Sequence, residues 1–327
     1  MKILFLRRRC EGLVGAPGKY HEFEQAVGKL AECQWAGEGW PLHKPNEFMN
    51  ETVKRVMPDA DWVFDRDDGF NPPSNRHYKV GAFLSDLHGK WSKNIQTPRG
   101  FVNLINTAGY DAVFLKYLHI YGTSAPPDLF LKSLNPRVYF LPWSVDPDKF
   151  KPLEKTIDAA FLGRKGPVYP LRNRLWRELP QFCGERRLRL LMREPPKLES
   201  FKRKISDYKG DSRYIVGEDY EKTLGQTRML LFGSSRYRYA IQKYTEGAST
   251  GCLVMADEPS DAAALGLVDG ETYVTITATN WKHKLDYYLG HPSEAERIAG
   301  NGRRLILERH THRHRAEEFL RSLEDGL

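Results

Sequence analysis

At 327 residues the chain is long for one core and has room for two α/β domains of about 150 residues each. Hydrophobic residues at 40% and aromatics at 12% exclude a disordered chain, and no apolar run approaches the roughly 18 residues of a membrane span. The formal net charge of +8 says nothing about fold; its basic clusters read either as solvated helix faces or as attraction to an anionic partner, a diphosphate, an anionic membrane surface or nucleic acid.

The chain opens on an apolar run, KILFL at 2–6, which is too short for a signal-peptide core and reads as a first buried strand. Cys10, Cys33, Cys183 and Cys252 form no CxxC pair. Reduced thiols and a cytoplasmic location follow, with a peripheral membrane position allowed by the charge. Residues 20–32 predict a helix with Phe23, Val27 and Leu30 on one side. Strands follow at 62–64, 80–84, 112–115 and 138–141, with helices at 46–56 and 98–108 between them. The polar stretch DPDKFKP at 146–152 suits an interdomain linker. Beyond it come strands at 159–162, 188–192, 229–232 and 252–255, and helices at 170–179, 220–224 and 241–250. Two last helices, 281–289 and 293–323, close the chain, the second broken near Thr311.

Short apolar runs alternating with amphipathic stretches predict βαβ units and parallel sheets. The expected fold is therefore α/β: two Rossmann-like, doubly wound domains facing a central cleft. Residues 1–146 form the first domain, 147–305 the second, and 306–327 a C-terminal helix packing back toward the first. In such sheets ligands sit beyond the carboxyl ends of the strands.

Several motifs invite chemistry. The glycine loop after the first strand, residues 12–20, lacks a P-loop's first glycine (Leu13) and its hydroxyl (Tyr20). Gly15, Gly18 and Lys19 are read instead as lining an acceptor site. Asp65, Asp67 and Asp68 resemble a metal-binding DxD element, but Asp-Asp-Gly also marks a turn, and the turn is preferred. His310, His312 and His314 have no partner at zinc spacing and read as a surface segment, so no metal site is expected. Asp86 and His88, after an apolar run, either face the cleft or cap the next helix.

The second domain carries the informative constellation. Gly163, Arg164 and Lys165 follow a strand and precede a basic helix with Arg172 and Arg174. Small residues let backbone approach a phosphate and basic ones neutralise it. Another small-residue loop, with Ser235, Arg236, Arg238 and Tyr239, leads into the helix holding Lys243 and Glu246. Glu246 could accept hydrogen bonds from both hydroxyls of a ribose; the alternative is an ordinary solvated helix glutamate.

KYTEGASTGCLVMAD (243–257) resembles the E-A-x-A-x-G-x-P-V-V segment of retaining GT-B glycosyltransferases, and LPWSVDPDKFKP (141–152) resembles that superfamily's interdomain crossover. With Gly266, Asp269, Gly290, Ala299, Gly300, His310 and Arg315 downstream, residues 141–315 look like the C-terminal domain of CgeB-like, spore-maturation-type glycosyltransferases. The resemblance implies a nucleotide-diphosphate sugar donor, UDP-sugar first, with no metal or other cofactor. It implies Glu246 at the ribose and Arg164 and Lys165 against the leaving diphosphate.

It also exposes a departure. The family's pair of glutamates eight positions apart wants an acid at 238, where this chain has Arg238. A catalytically silent nucleotide-sugar-binding module therefore stands beside the transferase as an alternative. If transfer inverts, Asp86 or His88 is the general base; if it retains, none is required. The acceptor is read as a glycan, lipid or protein, with a hydroxymethylated DNA base of the phage type as the alternative that the basic charge permits.

Overall fold

A computed structural model describes residues 1–65, 72–84, 98–118, 132–196 and 203–325 of the chain. They form two compact units. One contains Met1–Glu11, Lys19–Pro142 and the chain from Arg315 onward; the other contains Gly12–Gly18 and Trp143–His314.

The first unit is built on one parallel sheet. Its strands are β1 (Lys2–Leu6), β2 (Glu32–Ala36), β3 (Trp62–Asp65), β4 (Lys79–Leu84), β5 (Ala112–Leu115) and β6 (Arg137–Phe140), in the order β2-β1-β3-β4-β5-β6. Parallel strands covered on both faces need apolar side chains in both directions. Here Leu4, Val63, Val80, Ala82, Val113 and Leu115 bury one face under Val53 and Met57 and under Ile105. Those three residues come from α2 (Met49–Val56) and its end and from α3 (Pro98–Ala108). The alternate positions Phe5, Phe64, Phe83 and Phe114 fill the other face with Phe23 of α1 (Ala16–Gly28). Phe319, from the chain's last helix, sits 4.9 to 5.6 Å from Phe114, Phe64, Phe23 and Phe83.

The helix expected over 20–32 stops at Gly28, and residues 32–36 form an edge strand instead. The reason is steric. A Cβ at Gly28 would come 2.8 Å from the Trp35 ring, so glycine lets the returning strand pack against the helix it follows.

The second unit repeats the plan. Its elements are β7 (Ile157–Leu162), α4 (Pro170–Glu185), β8 (Leu190–Arg193), α5 (Glu218–Gln226), β9 (Thr227–Leu231), α6 (Lys243–Ser249), β10 (Leu253–Ala256), α7 (Ala262–Leu265), β11 (Val274–Thr275), α8 (Trp281–Gly290) and α9 (Pro292–Arg309). The sheet is wholly parallel in the order β11-β10-β9-β7-β8. The chain steps from β7 outward to β8, then returns to the other side of β7 for β9. The loops leaving β7 and β9 therefore diverge, which makes their carboxyl ends the topological switch point of this sheet. The expectation of two doubly wound α/β halves is met.

Two features lock the second unit. Lys155 Nζ donates to the carbonyls of Gly225 and Thr250, each at 2.9 Å, and so caps the ends of both α5 and α6. Gly302 brings α9 so close to residue 272 that a Cβ there would overlap the carbonyl oxygen of Thr272. Backbone cannot yield as a side-chain tip can. Gly302→Ala is expected to destabilise the protein by about 1–3 kcal/mol, read as a lower urea midpoint at unchanged m. An unshifted midpoint would show that α9 is free to move.

The last helix, α10 (His312–Glu324), follows α9 after a break at His310–Thr311. The histidines here are not a surface segment. His310 and His312 are buried, because the backbone of Val145 pairs with this turn. His310 Nε2 lies 3.0 Å from the Leu265 carbonyl and His312 Nδ1 2.8 Å from Ser144 Oγ. Much of the basic charge on the second unit is used locally in ion pairs, as in Arg174 with Glu178, Arg189 with Asp158, and Arg186 with Asp286. Among the described residues no helix is long and apolar enough to cross a membrane, and no group of three or more His, Cys, Asp or Glu is arranged to hold a metal ion.

Candidate functional site

The site is built at the carboxyl ends of β7, β9 and β10 in the second unit. The β7 loop begins with Gly163 and Arg164; the β9 loop runs Gly233, Ser234, Ser235, Arg236. Two contacts tie these loops together. The amide of Arg236 donates to the Val168 carbonyl at 2.8 Å, and Arg172 Nε, from the first turn of α4, donates to the Gly233 carbonyl. Asp257, just past β10, closes the third side. It accepts from the Ser234 amide at 2.6 Å and from Ser234 Oγ at 2.8 Å, while Tyr244 of α6 donates to its carbonyl at 2.5 Å.

Inside this frame the charges are concentrated. Arg172 is buried, with its guanidinium 4.0 Å from the Tyr169 ring centre. Burial pushes its pKa down, against the opposing pull of Tyr169 and Asp257. Lys243, at the start of α6, is lowered to about 8, first by burial and then by Arg172, with Arg164 adding to the effect and Glu246 opposing it. Glu246, one turn further along α6, is buried, and Tyr220 of α5 donates to its Oε2 at 2.8 Å. So Arg164, Arg172 and Lys243 gather beside the buried Glu246 carboxylate, with Asp257 also acting on Arg172. A cluster with that balance is unfavourable when empty and becomes favourable when an anion enters.

The positions picked out from the sequence fall as follows. Arg164, Lys243 and Glu246 come together with Arg172, and Gly163 lies against the Arg172 side chain. Arg164 donates to the Pro196 carbonyl at 2.6 Å. Lys165 turns away: it is exposed, stacks 4.1 Å over Trp176 and lies 3.6 Å from Glu194. Ser235 is buried and its Oγ accepts from the Tyr237 amide; Arg236 is exposed over the Tyr237 ring; Tyr239 is buried and stacked on Tyr237.

Arg238 adopts a left-handed backbone (φ 54°) and is exposed, its guanidinium donating to the Glu258 carbonyl at 3.0 and 3.1 Å. Gly12–Gly18 belongs to the second unit: Leu13 bridges Lys204, and the Val14 amide donates to the Arg203 carbonyl at 3.1 Å. Within it Gly15 takes φ 87° and Gly18 donates to the Gly15 carbonyl, while Lys19 pairs with Glu22 at 3.2 Å. Asp86, His88, Asp67 and Asp68 lie outside the described residues; Asp65 ends β3.

Three contributors were not singled out from the sequence. Tyr220 carries no motif, because it reaches the site from α5, 26 positions before Glu246; Asp257 ends the 243–257 segment, but nothing in its spacing revealed the bonds to Ser234. Tyr244 sat within the quoted segment, but nothing in its spacing revealed the bond to residue 257.

Residues 178–321 match the family described as glycosyl transferase-like. Sucrose-phosphate synthase from Thermosynechococcus elongatus superposes with a TM-score of 0.67 at 12% identity over 99% of both chains. HepE from Anabaena, solved with UDP and glucose, superposes at 0.65 and 13% over 99% of both. A glycosyltransferase from Rickettsia africae superposes at 0.64 and 12%, over 99% of this chain and 98% of that one. The chain has the GT-B fold. Among curated proteins no sequence matches it. The matched family region contains β9, α6 and β10, and with them Glu246, Lys243 and Asp257.

Proposed function

We propose that the protein transfers a glycosyl group from a nucleoside diphosphate sugar, binding the diphosphate with Arg164, Arg172 and Lys243 and the ribose with Glu246. The observation that carries this reading is the three-cation cluster around the buried Glu246 carboxylate at the switch point of the second sheet. A diphosphate is an anion that suits it. The bond between the sugar's anomeric carbon and the diphosphate oxygen breaks, and the diphosphate leaves with the electron pair as positive charge builds on the sugar. The acceptor oxygen bonds that carbon and gives up its proton. Fixed cations in a partly desolvated site stabilise the departing charge without a metal step. The HepE complexes with UDP and with UDP-glucose support a UDP-sugar as the first donor to try.

The acceptor is proposed to be a glycan, lipid or protein. Asp86 or His88 serves as general base if the anomeric configuration inverts. The departure at Arg238 makes the configuration at the sugar carbon an open measurement, readable by NMR of the first product formed.

The testing experiment is a thermal-shift panel of UDP-, GDP-, ADP- and dTDP-sugars. A ligand at 100 times its Kd should add about 2.7 kcal/mol to stability and raise Tm by several degrees. A panel with no shift at millimolar ligand would end this reading. A shift with no turnover on any acceptor would leave a binding module instead.

Lys243 supplies a pH signature. Its ammonium must be protonated to hold a diphosphate, and in the empty site it titrates at about 8. Binding favours the charged form, so affinity is full below pH 8 and falls above it, toward tenfold per pH unit until the complex itself titrates. Lys243→Met should weaken nucleotide binding about 10–100-fold at pH 7 and flatten that alkaline decline. An unchanged pH slope in the variant would place the titrating group elsewhere.

A further inference from the structure

Glu246 is placed by a side chain that no family motif identifies. Tyr220 is the third residue of α5, after Gly217, which takes φ 58° at the helix start. Its hydroxyl donates to Glu246 Oε2 at 2.8 Å across 26 positions of sequence. The ring is itself held in place. It meets Phe150 edge-on at 6.1 Å, and Phe150 is fully buried, its carbonyl accepting from Ser249 Oγ of α6 at 2.7 Å. Phenol and carboxylate thus stand on two helices joined through one aromatic wedge. Burial, and then the Glu246 carboxylate, push the Tyr220 pKa well up, so the phenol keeps its proton and always acts as donor.

We propose that Tyr220 is a positioning residue: it fixes the rotamer of the Glu246 carboxylate for the paired 2′- and 3′-hydroxyls of a ribose, making the site selective for ribonucleoside over deoxyribonucleoside diphosphate sugars. The inference rests on the ribose role proposed for Glu246 above. A carboxylate accepts up to about four hydrogen bonds, so the Tyr220 bond orients Oε2 without exhausting it. Two vicinal hydroxyls need both oxygens in one plane, and an untethered glutamate would spend rotamer freedom to present them. A deoxyribose leaves a buried, charged acceptor short of a partner, which is where strong discrimination arises. Tyr220 itself need not touch the ligand for this to hold.

The test compares wild type with Tyr220→Phe, which keeps the ring against Phe150 and removes only the hydroxyl. Calorimetry is run with whichever of UDP, GDP and ADP binds best, and with its 2′-deoxy and 2′,3′-dideoxy analogues. Wild type should prefer the ribonucleotide over the dideoxy analogue by about 30-fold or more. In the variant, ribonucleotide affinity should fall about 5–10-fold while the dideoxy affinity stays within about twofold, so the selectivity ratio collapses. A general loosening of the fold would weaken all three ligands together, and that result, or an unchanged ratio, overturns the inference while leaving the nucleotide site standing. Wild-type protein that binds no nucleoside diphosphate at all overturns the reading of the site and this inference with it.

Discussion

Replacing Glu246 by alanine is expected to weaken nucleoside diphosphate binding by about 10²–10⁴-fold. Two charge-assisted hydrogen bonds to ribose hydroxyls contribute roughly 1.5–3 kcal/mol each, and about 1.4 kcal/mol corresponds to a factor of ten. The same change leaves the Tyr220 hydroxyl, which donates to Glu246 at 2.8 Å, without its acceptor. A stability loss of about 1–3 kcal/mol should therefore accompany the loss of binding. Glu246→Gln separates the two. It keeps the volume and an acceptor for Tyr220, so most of the stability returns, while the charge that strengthens the ribose bonds does not. Calorimetric titration with UDP, alongside urea melts of both variants, measures each part. Full affinity in Glu246→Ala would remove the residue from the site whatever the melts showed.

In the first unit, Arg7→Met is expected to cost about 3–5 kcal/mol of stability, a large fraction of the 5–15 kcal/mol typical of a native protein. Arg7 directly follows β1, and its guanidinium pairs with Glu24 of α1; the two side chains are 2% and 0% exposed. Burial works against the Arg7 charge, and the Glu24 carboxylate and Cys10 together outweigh it, so the guanidinium is held above its ordinary pKa. Trp35 Nε1 also donates to Glu24, at 3.2 Å. Removing the arginine leaves a carboxylate in a site closed to water. Removing both charges, as in Arg7→Met with Glu24→Leu, should recover much of the loss, since apolar replacement of a buried pair is often neutral. Denaturant unfolding of the three variants decides the matter. A single-variant loss under about 1 kcal/mol would show that water reaches the pair.

Three outcomes show how far the sequence could be read. The β strands of both sheets were legible wherever both faces are buried, because runs such as KILFL, AVFL and AAFL need no tertiary context to be apolar. The edge strand β2, ECQWA, alternates polar with apolar residues and directly follows a helical pattern, so only Glu32 falls within the helix expected over 20–32 and the rest is assigned to no element. The two-residue β11 is too short to have any period. The HTHRHR segment read as surface because its charge is high. Its burial is imposed by the backbone of Val145, which lies more than 160 positions earlier in the chain.

The site divides in the same way. The sequence by itself determined the fold class and singled out the stretch around Lys243 and Glu246 as a candidate, because glycines, basic residues and an acid at fixed local spacing are properties of one segment. Only the tertiary structure decided which charges act together. It brought Arg172 to the Gly233 carbonyl, turned Lys165 out onto Trp176 and bent Arg238 toward Glu258. It also set Tyr220 against Glu246. Spacing along the chain fixes which residues share an element, but the order of strands in a sheet fixes which elements meet at its carboxyl edge, and that order is a long-range property.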